Sequence, residues 1–334
     1  MSKKIVAVSA MLVSVALGGC ASSAIKDIGA YQKAPLQNSE VMPSKAALSG
    51  DKPRVVVFEL EDKKGSAAGD QVADAIIKEL SDTKNVVVVD RALATKLEQE
   101  ITLAETKGRT GYTGQNVADY AITGKITSAG AGNSYTAPSS WTDKEGKSHY
   151  VPAKCTTTGK IAFAIKVSRL PSLDVVDTFD TEAVVSSSQD AQYSYCPNIS
   201  DAAARGILSA AAASAVQKRH TDLKNQFAPS GFVLERRTFE KSNIFKISLG
   251  KIRGAKQDLK VHFMNFKTDN NPLTGLTSTE QVRVAEGVIS DQISDASAFV
   301  IVKDPASAEK IKLGDEAKVQ FEDSFGDMFN KIAH

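Results

Sequence analysis

The sequence is poor in cysteine, in aromatic residues and in net charge. Its 334 residues include three cysteines, one tryptophan and 6% aromatic side chains, and 41 basic residues stand against 39 acidic ones. Three cysteines are too few for a disulfide-dense small scaffold, and a net charge of +2 lacks the basic excess typical of nucleic-acid binding. Nucleic acid is therefore not an expected partner. The remaining composition is that of a folded protein, and the length predicts two domains.

The sequence also lacks a long hydrophobic run, because the apolar stretch near the N-terminus is too short to cross a bilayer. Lys3 and Lys4 precede a mostly apolar run from Ile5 to Leu17, whereas a spanning helix needs about 20 apolar residues. A basic start before a short apolar run is typical of a secretory signal peptide, which we place at residues 1–19. Removing its two lysines would leave 39 basic and 39 acidic residues, a formally neutral mature chain.

The residues that follow resemble the lipobox of bacterial lipoproteins, Leu17-Gly18-Gly19-Cys20. The resemblance implies cleavage before Cys20 and a covalent lipid on its sulfur, and no other cofactor is expected. An aspartate after the cysteine would resemble the inner-membrane retention signal, so Ala21 indicates the outer membrane, with the protein facing the periplasm. Several acyl chains on one cysteine make such an attachment stable. The alternative is an ordinary signal peptide with a cysteine there by chance.

The other two cysteines, Cys155 and Cys196, would lie in a compartment where disulfides persist, and we predict that they pair. Two unrelated buried thiols are the alternative. A metal site is not indicated, because two cysteines and the scattered histidines show no ligand spacing. Those histidines are His149, His220, His262 and His334.

The pattern along the chain predicts a tether, an α/β domain, a β domain and a short tail. Residues 20–52 are rich in Ser, Ala, Pro and Gln, as in a flexible tether. In the α/β domain, 53–228, two β-branched runs flank an amphipathic helix, the order of a βαβ unit. Further helices are predicted from Asp90, with Leu93, Leu97 and Ile101 on one face, and over Ser200–His220. Further strands are predicted over 118–128, 160–169 and 175–187.

Residues 229–325 contain six short strand candidates separated by turn signals, which predicts a small β-barrel that closes on itself. The closing residues 326–334 are a tail.

Four features of the α/β domain resemble the CsgG-like family and its structural relatives in the TolB N-terminal group. They are the lipobox, the strand VVVFELEDKKG, the strand and helix start NVVVVDR, and the run from Ala118 to Ile126, ADYAITGKI. The later domain resembles the C-terminal barrel of FlgT in its S-L-G, P-L-T-G and L-G-D steps, although Gly254-Ala255-Lys256-Gln257-Asp258 lacks the second glycine of that pattern. The resemblance implies an α+β fold, a CsgG/TolB-N-like α/β sandwich followed by a small all-β barrel.

The CsgG-like resemblance also implies where a channel would form. In the curli channel of that family, two hairpins per subunit build a transmembrane barrel, at positions matching 128–160 and 186–199 here. The return arm of the first insertion carries Asp143, Lys144 and Glu145, and the second is nearly all polar, so soluble loops are favoured over spanning strands. A Cys155–Cys196 bond would then join two loops at one edge.

No catalytic residues are predicted. Gly130-Ala131-Gly132 lacks the third glycine of a dinucleotide site, and the sequence contains neither H-E-x-x-H nor G-x-S-x-G. An aromatic group flanks the two insertions and reads either as loop packing around the disulfide or as a protein-contact surface, since Tyr and Trp are favoured at interfaces. The predicted contact residues are Trp141, Tyr150, Tyr193 and Tyr195, with His149 beside them.

These observations predict a non-enzymatic outer-membrane lipoprotein that scaffolds or assembles an envelope complex of the secretion, curli or flagellar type. Its expected partners are the outer membrane, other envelope proteins and further copies of itself. A CsgG-type oligomeric export channel is one alternative, and a lipoprotein activator of a peptidoglycan synthase is another, because one fold serves several tasks.

Overall fold

The computed structural model describes residues 23–44, 47–48, 50–63, 65, 67–90, 97, 99, 101, 117–270, 272–273 and 277–323. The predicted signal peptide, Cys20 and the tail 326–334 lie outside the described residues. So does most of the helix predicted after Asp90, although Leu97 and Ile101 are described and buried. The described chain is mostly β with few helices. None of those helices combines the length and hydropathy of a membrane span.

The first sheet has five strands in the order β3-β2-β4-β7-β8. Strand β2 (Arg54–Val57) pairs in parallel with β3 (Val87–Val88) and with β4 (Tyr120–Thr136). Strands β4, β7 (Lys154–Arg169) and β8 (Val175–Asp190) are antiparallel. Helix α1 (Ala68–Thr83) connects β2 to β3, which is the predicted βαβ order.

Helices α1, α2 (Asp201–Lys218) and α3 (His220–Gln226) contribute to one apolar core with this sheet. Ser200 caps α2, because its Oγ accepts from the Ala203 N–H at 3.2 Å. Helix α2 packs tightly on β7, where a Cβ on Gly159 would lie 2.8 Å from the Ile207 carbonyl oxygen. The core centres on side chains with almost no exposure, each contributing about 1.5–3 kcal/mol, among them Ile76, Leu80, Ile122, Ile161 and Leu223.

The second sheet closes into a six-stranded barrel, which confirms the predicted small barrel. Its ring order is β9-β10-β13-β12-β11-β14, with β14 returning to β9. The strands are β9 (Ser230–Phe239), β10 (Ser242–Ile247), β11 (Lys260–Asn270), β12 (Thr277–Ile293), β13 (Ala298–Val302) and β14 (Glu316–Gln320), with helix α4 (Pro305–Ala308) between the last two. Fully buried Phe245 and Phe263 contact each other at 5.7 Å between ring centroids inside it.

Residues 23–44 lie on the barrel, where the composition had predicted part of a flexible tether. Strand β1 (Gln32–Ala34) pairs with β9, and the Ile25 N–H donates to Asp291 Oδ1 at 2.8 Å. The physical reason is a small apolar cluster in which Ile25, Ile28 and Tyr31 pack against barrel side chains, namely Ile244, Phe299 and Ile301.

Strand β4 ends well after its predicted end, β7 begins well before its predicted start, and β8 ends three residues after its predicted end, all over residues expected to be soluble loops. The β4–β7 ladder continues to Thr136 opposite Lys154, and the β7–β8 ladder continues to Asp190. Backbone pairing therefore orders the segments predicted as loops. We call this three-stranded extension, residues 128–136, 154–160 and 184–190, the ribbon.

Candidate protein-contact surface

The ribbon is polar on the face turned away from the helices. There, Thr156 Oγ1 lies 2.8 Å from Ser188 Oγ, and Thr158 Oγ1 lies 3.1 Å from Ser186 Oγ, each pair directly opposed in the register. Cross-strand hydroxyl pairs of this kind stabilise a sheet modestly. The ribbon is therefore held by its backbone ladder and by hydroxyl pairs rather than by an apolar core.

A small hairpin follows the ribbon end of β4. Its strands β5 (Ser139–Thr142) and β6 (Ser148–Val151) pair through Trp141 opposite His149. The carboxylate of Asp143 organises the turn, because its Oδ1 accepts the N–H of Glu145 at 3.0 Å and that of Lys147 at 2.8 Å.

The second carboxylate oxygen of Asp143 bonds the hairpin histidine, with His149 Nε2 at 2.8 Å from Oδ2. This bond, followed by the backbone N–H of Lys147, lowers the pKa of Asp143 below its ordinary value. The ring of His149 in turn stacks on Trp141, with ring centroids 4.4 Å apart and planes 15° apart. The hairpin thus fixes one aromatic pair through a hydrogen-bonded chain that starts at Asp143.

The segment 191–200 connects β8 to α2 and is attached to the ribbon. Cys196 forms the predicted disulfide with Cys155, with Cα atoms 5.6 Å apart. Cys155 is buried on the same side of β7 as Gly159, the side that faces the helices. Asn133 Nδ2 donates to the Pro197 carbonyl oxygen at 2.7 Å, and the Asn133 side-chain oxygen accepts from Thr157 Oγ1 at 2.7 Å.

The predicted aromatic group is arranged as two pairs at this end of the sheet. Trp141 pairs with His149 on the hairpin, and Tyr193 stacks on Tyr195 on the segment 191–200, with ring centroids 5.6 Å apart. Trp141, Tyr150, Tyr193 and Tyr195 are 55%, 70%, 57% and 61% exposed, so their rings face solvent rather than the disulfide. Neighbouring residues on a strand point to opposite faces, so Tyr150 and His149 lie on opposite sides of the hairpin. We call these four exposed rings the aromatic tip.

Sequence patterns did not single out the residues that hold the aromatic tip in place. In the sequence, Asp143 stands out only as a charge that disfavours a spanning strand, and Asn133 carries no signal beyond its place in a glycine-rich run. Their roles depend on partners that the register brings together, such as Pro197, 64 positions from Asn133. No group of three or more metal-ligating side chains occurs within the described part of the chain.

Comparisons with known proteins give a weak structural likeness. No family model matches the sequence, and no curated protein matches it. A solved candidate lipoprotein from Caulobacter crescentus CB15 is similar with a TM-score of 0.28 at 12% identity, over 55% of this chain and 93% of its own. A PelC dodecamer from Paraburkholderia phytofirmans gives a TM-score of 0.25 at 12% identity, over 58% and 97%. Lipoprotein GNA1162 from Neisseria meningitidis gives 0.22 at 10% identity, over 47% and 94%. At such low scores nothing about function or assembly transfers to this chain, and membership of the CsgG-like family stays a hypothesis.

Proposed function

We propose that this chain is a non-enzymatic lipoprotein of the outer membrane, anchored through a lipid on Cys20, that scaffolds or assembles an envelope complex through protein contacts. The observation that carries the proposal is the aromatic tip, whose four large rings are each more than half exposed. Exposed Tyr and Trp are costly to leave in water and are favoured at protein interfaces, where they supply much of the binding energy.

A lipid anchor at Cys20 would be separated from the aromatic tip by the length of the fold. Ser23 bonds Asp258 on the barrel, and three extended residues span at most about 11 Å, so a lipid on Cys20 would hold the barrel close to the membrane. The barrel lies at the Tyr120 end of β4, where Tyr120 lines the same cleft as Ser230 and Phe232 of β9. From Tyr120 the strand runs 17 residues to Thr136, a length of about 50 Å. The aromatic tip would thus meet partners far from the anchored barrel.

Site-specific photo-crosslinking in cells tests the contact surface. A photoreactive amino acid placed at Trp141, Tyr150 or Tyr195 should give discrete adducts with another envelope protein. The matched control is Leu273, which is 94% exposed on the barrel and should give none. Absence of adducts from all three tip positions, or the same adducts from Leu273, would contradict the proposed contact surface.

Metabolic labelling with palmitate tests the anchor. The label should be incorporated by the natural chain and lost in Cys20→Ala, whereas Ser22→Ala, two residues away, should keep it. Label persisting in Cys20→Ala would refute the lipid attachment.

An oligomeric export channel is a second candidate, favoured by one observation. Within the described residues, the outer edge of β8 and the outer edge of β4 along the ribbon have no strand partner, and such edges can pair with another copy. An export channel would also be consistent with a CsgG/TolB-N-like sandwich fold. Electron microscopy of detergent-extracted protein separates the two functions, because closed rings with a membrane-embedded wall would overturn the scaffold. Co-purification of a peptidoglycan synthase would instead favour an activator.

A further inference from the structure

A cleft of about 930 Å³ lies between the five-stranded sheet with its helices and the barrel, at the opposite end of β4 from the aromatic tip. Its described lining is rich in cations. The sheet side contributes Lys52, Lys84 and Lys224. The barrel side contributes Lys251, Arg253, Lys256 and Lys318. Three carboxylates also line it, which leaves an excess of four positive charges in one cleft of a chain that is formally neutral once its signal peptide is removed.

The three carboxylates do little to neutralise these lysines. Asp82 is paired with Lys78, outside the cleft, at 2.6 Å. Glu316 accepts from Gln281 Nε2 at 3.0 Å and, of the cleft lysines, acts electrostatically on Lys318. Asp51 interacts electrostatically with the neighbouring guanidinium of Arg253. Four exposed lysines of the cleft form no salt bridge with any described residue, and these are Lys52, Lys84, Lys251 and Lys256.

Two further cations are fixed in the cleft by the backbone. The Arg253 guanidinium donates to the Ser248 carbonyl at 3.0 Å and to the Ser230 carbonyl at 2.8 Å. Lys318 Nζ donates to the Gln226 carbonyl at 3.1 Å. Burial lowers the pKa of Lys318, so an anion bound nearby would favour its charged form. These two side chains are held in position before any ligand arrives, which reduces the entropy lost on binding.

Apolar side chains complete the cleft. Tyr120 and Phe227 meet edge to face, and Lys224 Nζ lies 5.7 Å from the ring centroid of Phe321. A concave site between two parts of a fold, with apolar walls and convergent polar groups, is the usual form of a ligand site.

We propose that this cleft binds a ligand with several phosphate groups. Lysine ammonium groups bind phosphate as point charges, and several of them converge here without a carboxylate partner. The phosphates could come from anionic lipid headgroups or from a soluble phosphate compound, and both present the same chemistry. The proposal does not depend on the contact function of the aromatic tip.

Calorimetric titration with inorganic tripolyphosphate tests the cleft in the full mature chain, purified in a non-ionic detergent. Lys251→Gln with Lys256→Gln should raise the dissociation constant for tripolyphosphate about tenfold, because two charge-assisted contacts are lost. The matched control, Lys144→Gln with Lys147→Gln, removes two exposed charges from the hairpin and should change it less than about twofold. No binding to the natural chain, or equal weakening in both double variants, would overturn the proposal.

Vesicles distinguish the two sources of phosphate. In the natural chain reconstituted into neutral phosphatidylcholine vesicles, tripolyphosphate should bind as it does in detergent. If lipid headgroups fill the cleft, adding phosphatidylglycerol should abolish that binding, and the Lys251→Gln, Lys256→Gln variant should reduce the competition. If the ligand is soluble, binding should persist in both vesicle types. Tripolyphosphate failing to bind in neutral vesicles would again overturn the proposal.

Discussion

Removing the Cys155–Cys196 disulfide should destabilise the half of the molecule that contains the five-stranded sheet. The two cysteines are 41 positions apart, and the bond closes a loop that contains most of β7 and all of β8. In the loop-entropy account, a closed loop of this length stabilises the folded state by about 4 kcal/mol, because it restricts the unfolded chain. We therefore expect Cys155→Ser with Cys196→Ser to lower the free energy of unfolding of this half by up to about 4 kcal/mol.

Urea unfolding followed by two signals measures this effect. Circular dichroism reports the strands and helices, and the fluorescence of Trp141, the one tryptophan of the chain, reports the hairpin at the aromatic tip. The double variant and the reduced natural chain should unfold at the same urea concentration, below that of the oxidised chain, with the barrel transition unchanged. Asn133→Ala is the matched control, since it removes the bonds to Pro197 and Thr157 and leaves the covalent loop intact, at a cost of about 1 kcal/mol for each bond.

Two results would refute the reasoning. A difference below about 1 kcal/mol between oxidised and reduced protein would show that the loop contributes little to the unfolded-state entropy. A shift confined to the barrel transition would show that the disulfide does not stabilise the five-stranded sheet to which Cys155 belongs.

Three further outcomes are expected. Gly159→Val should lower the free energy of unfolding by about 1–3 kcal/mol, because the new side chain meets the Ile207 carbonyl, and Gly132→Val, which has open space around it, should cost much less in the same urea titration. The pKa of Asp143 is lowered in the folded chain, so the stability that its carboxylate gives the hairpin is complete above the ordinary pKa of 3.8 and is lost as the pH falls through the folded pKa. The fluorescence of Trp141 should therefore change in that acidic range. An identical pH profile in Asp143→Asn would contradict this. Ile25→Ala should weaken the packing of residues 23–44 on the barrel by about 2 kcal/mol, so that limited proteolysis cleaves this segment faster. Cleavage no faster than in the natural chain would show that the Ile25 side chain does not hold the segment.

Local signals predicted the elements whose residues are buried on one face. The βαβ unit is visible because Val72, Ile76 and Leu80 recur at helical spacing between two β-branched runs. The start of α2 is visible because Ser200 is a favourable N-cap. The barrel is visible from turn signals that separate short strands, which require no knowledge of their pairing.

The elements that the sequence does not reveal are those whose order comes from distant partners. The ribbon strands are rich in Ser, Thr and Gly, and the alternation of Ala129, Ala131 and Tyr135 in β4 is too faint to mark a strand, so their order comes from the pairing with β7. Strand β1 is three residues long in a linker-like composition, and its order depends on β9, about 200 positions away. The cleft lysines come from segments scattered between Lys52 and Lys318, which no motif search joins.

The polar ribbon separates the aromatic tip from the barrel. A sheet extension with few apolar contacts gains little from burial, so backbone pairing, hydroxyl pairs and the bond at Cys155 must supply its order. Such an extension holds the aromatic rings about 50 Å along β4 from its Tyr120 end, which borders the barrel. The two proposed surfaces then have separate environments, because the proposed phosphate-binding cleft lies at the barrel end of β4 and the aromatic tip lies at the other end.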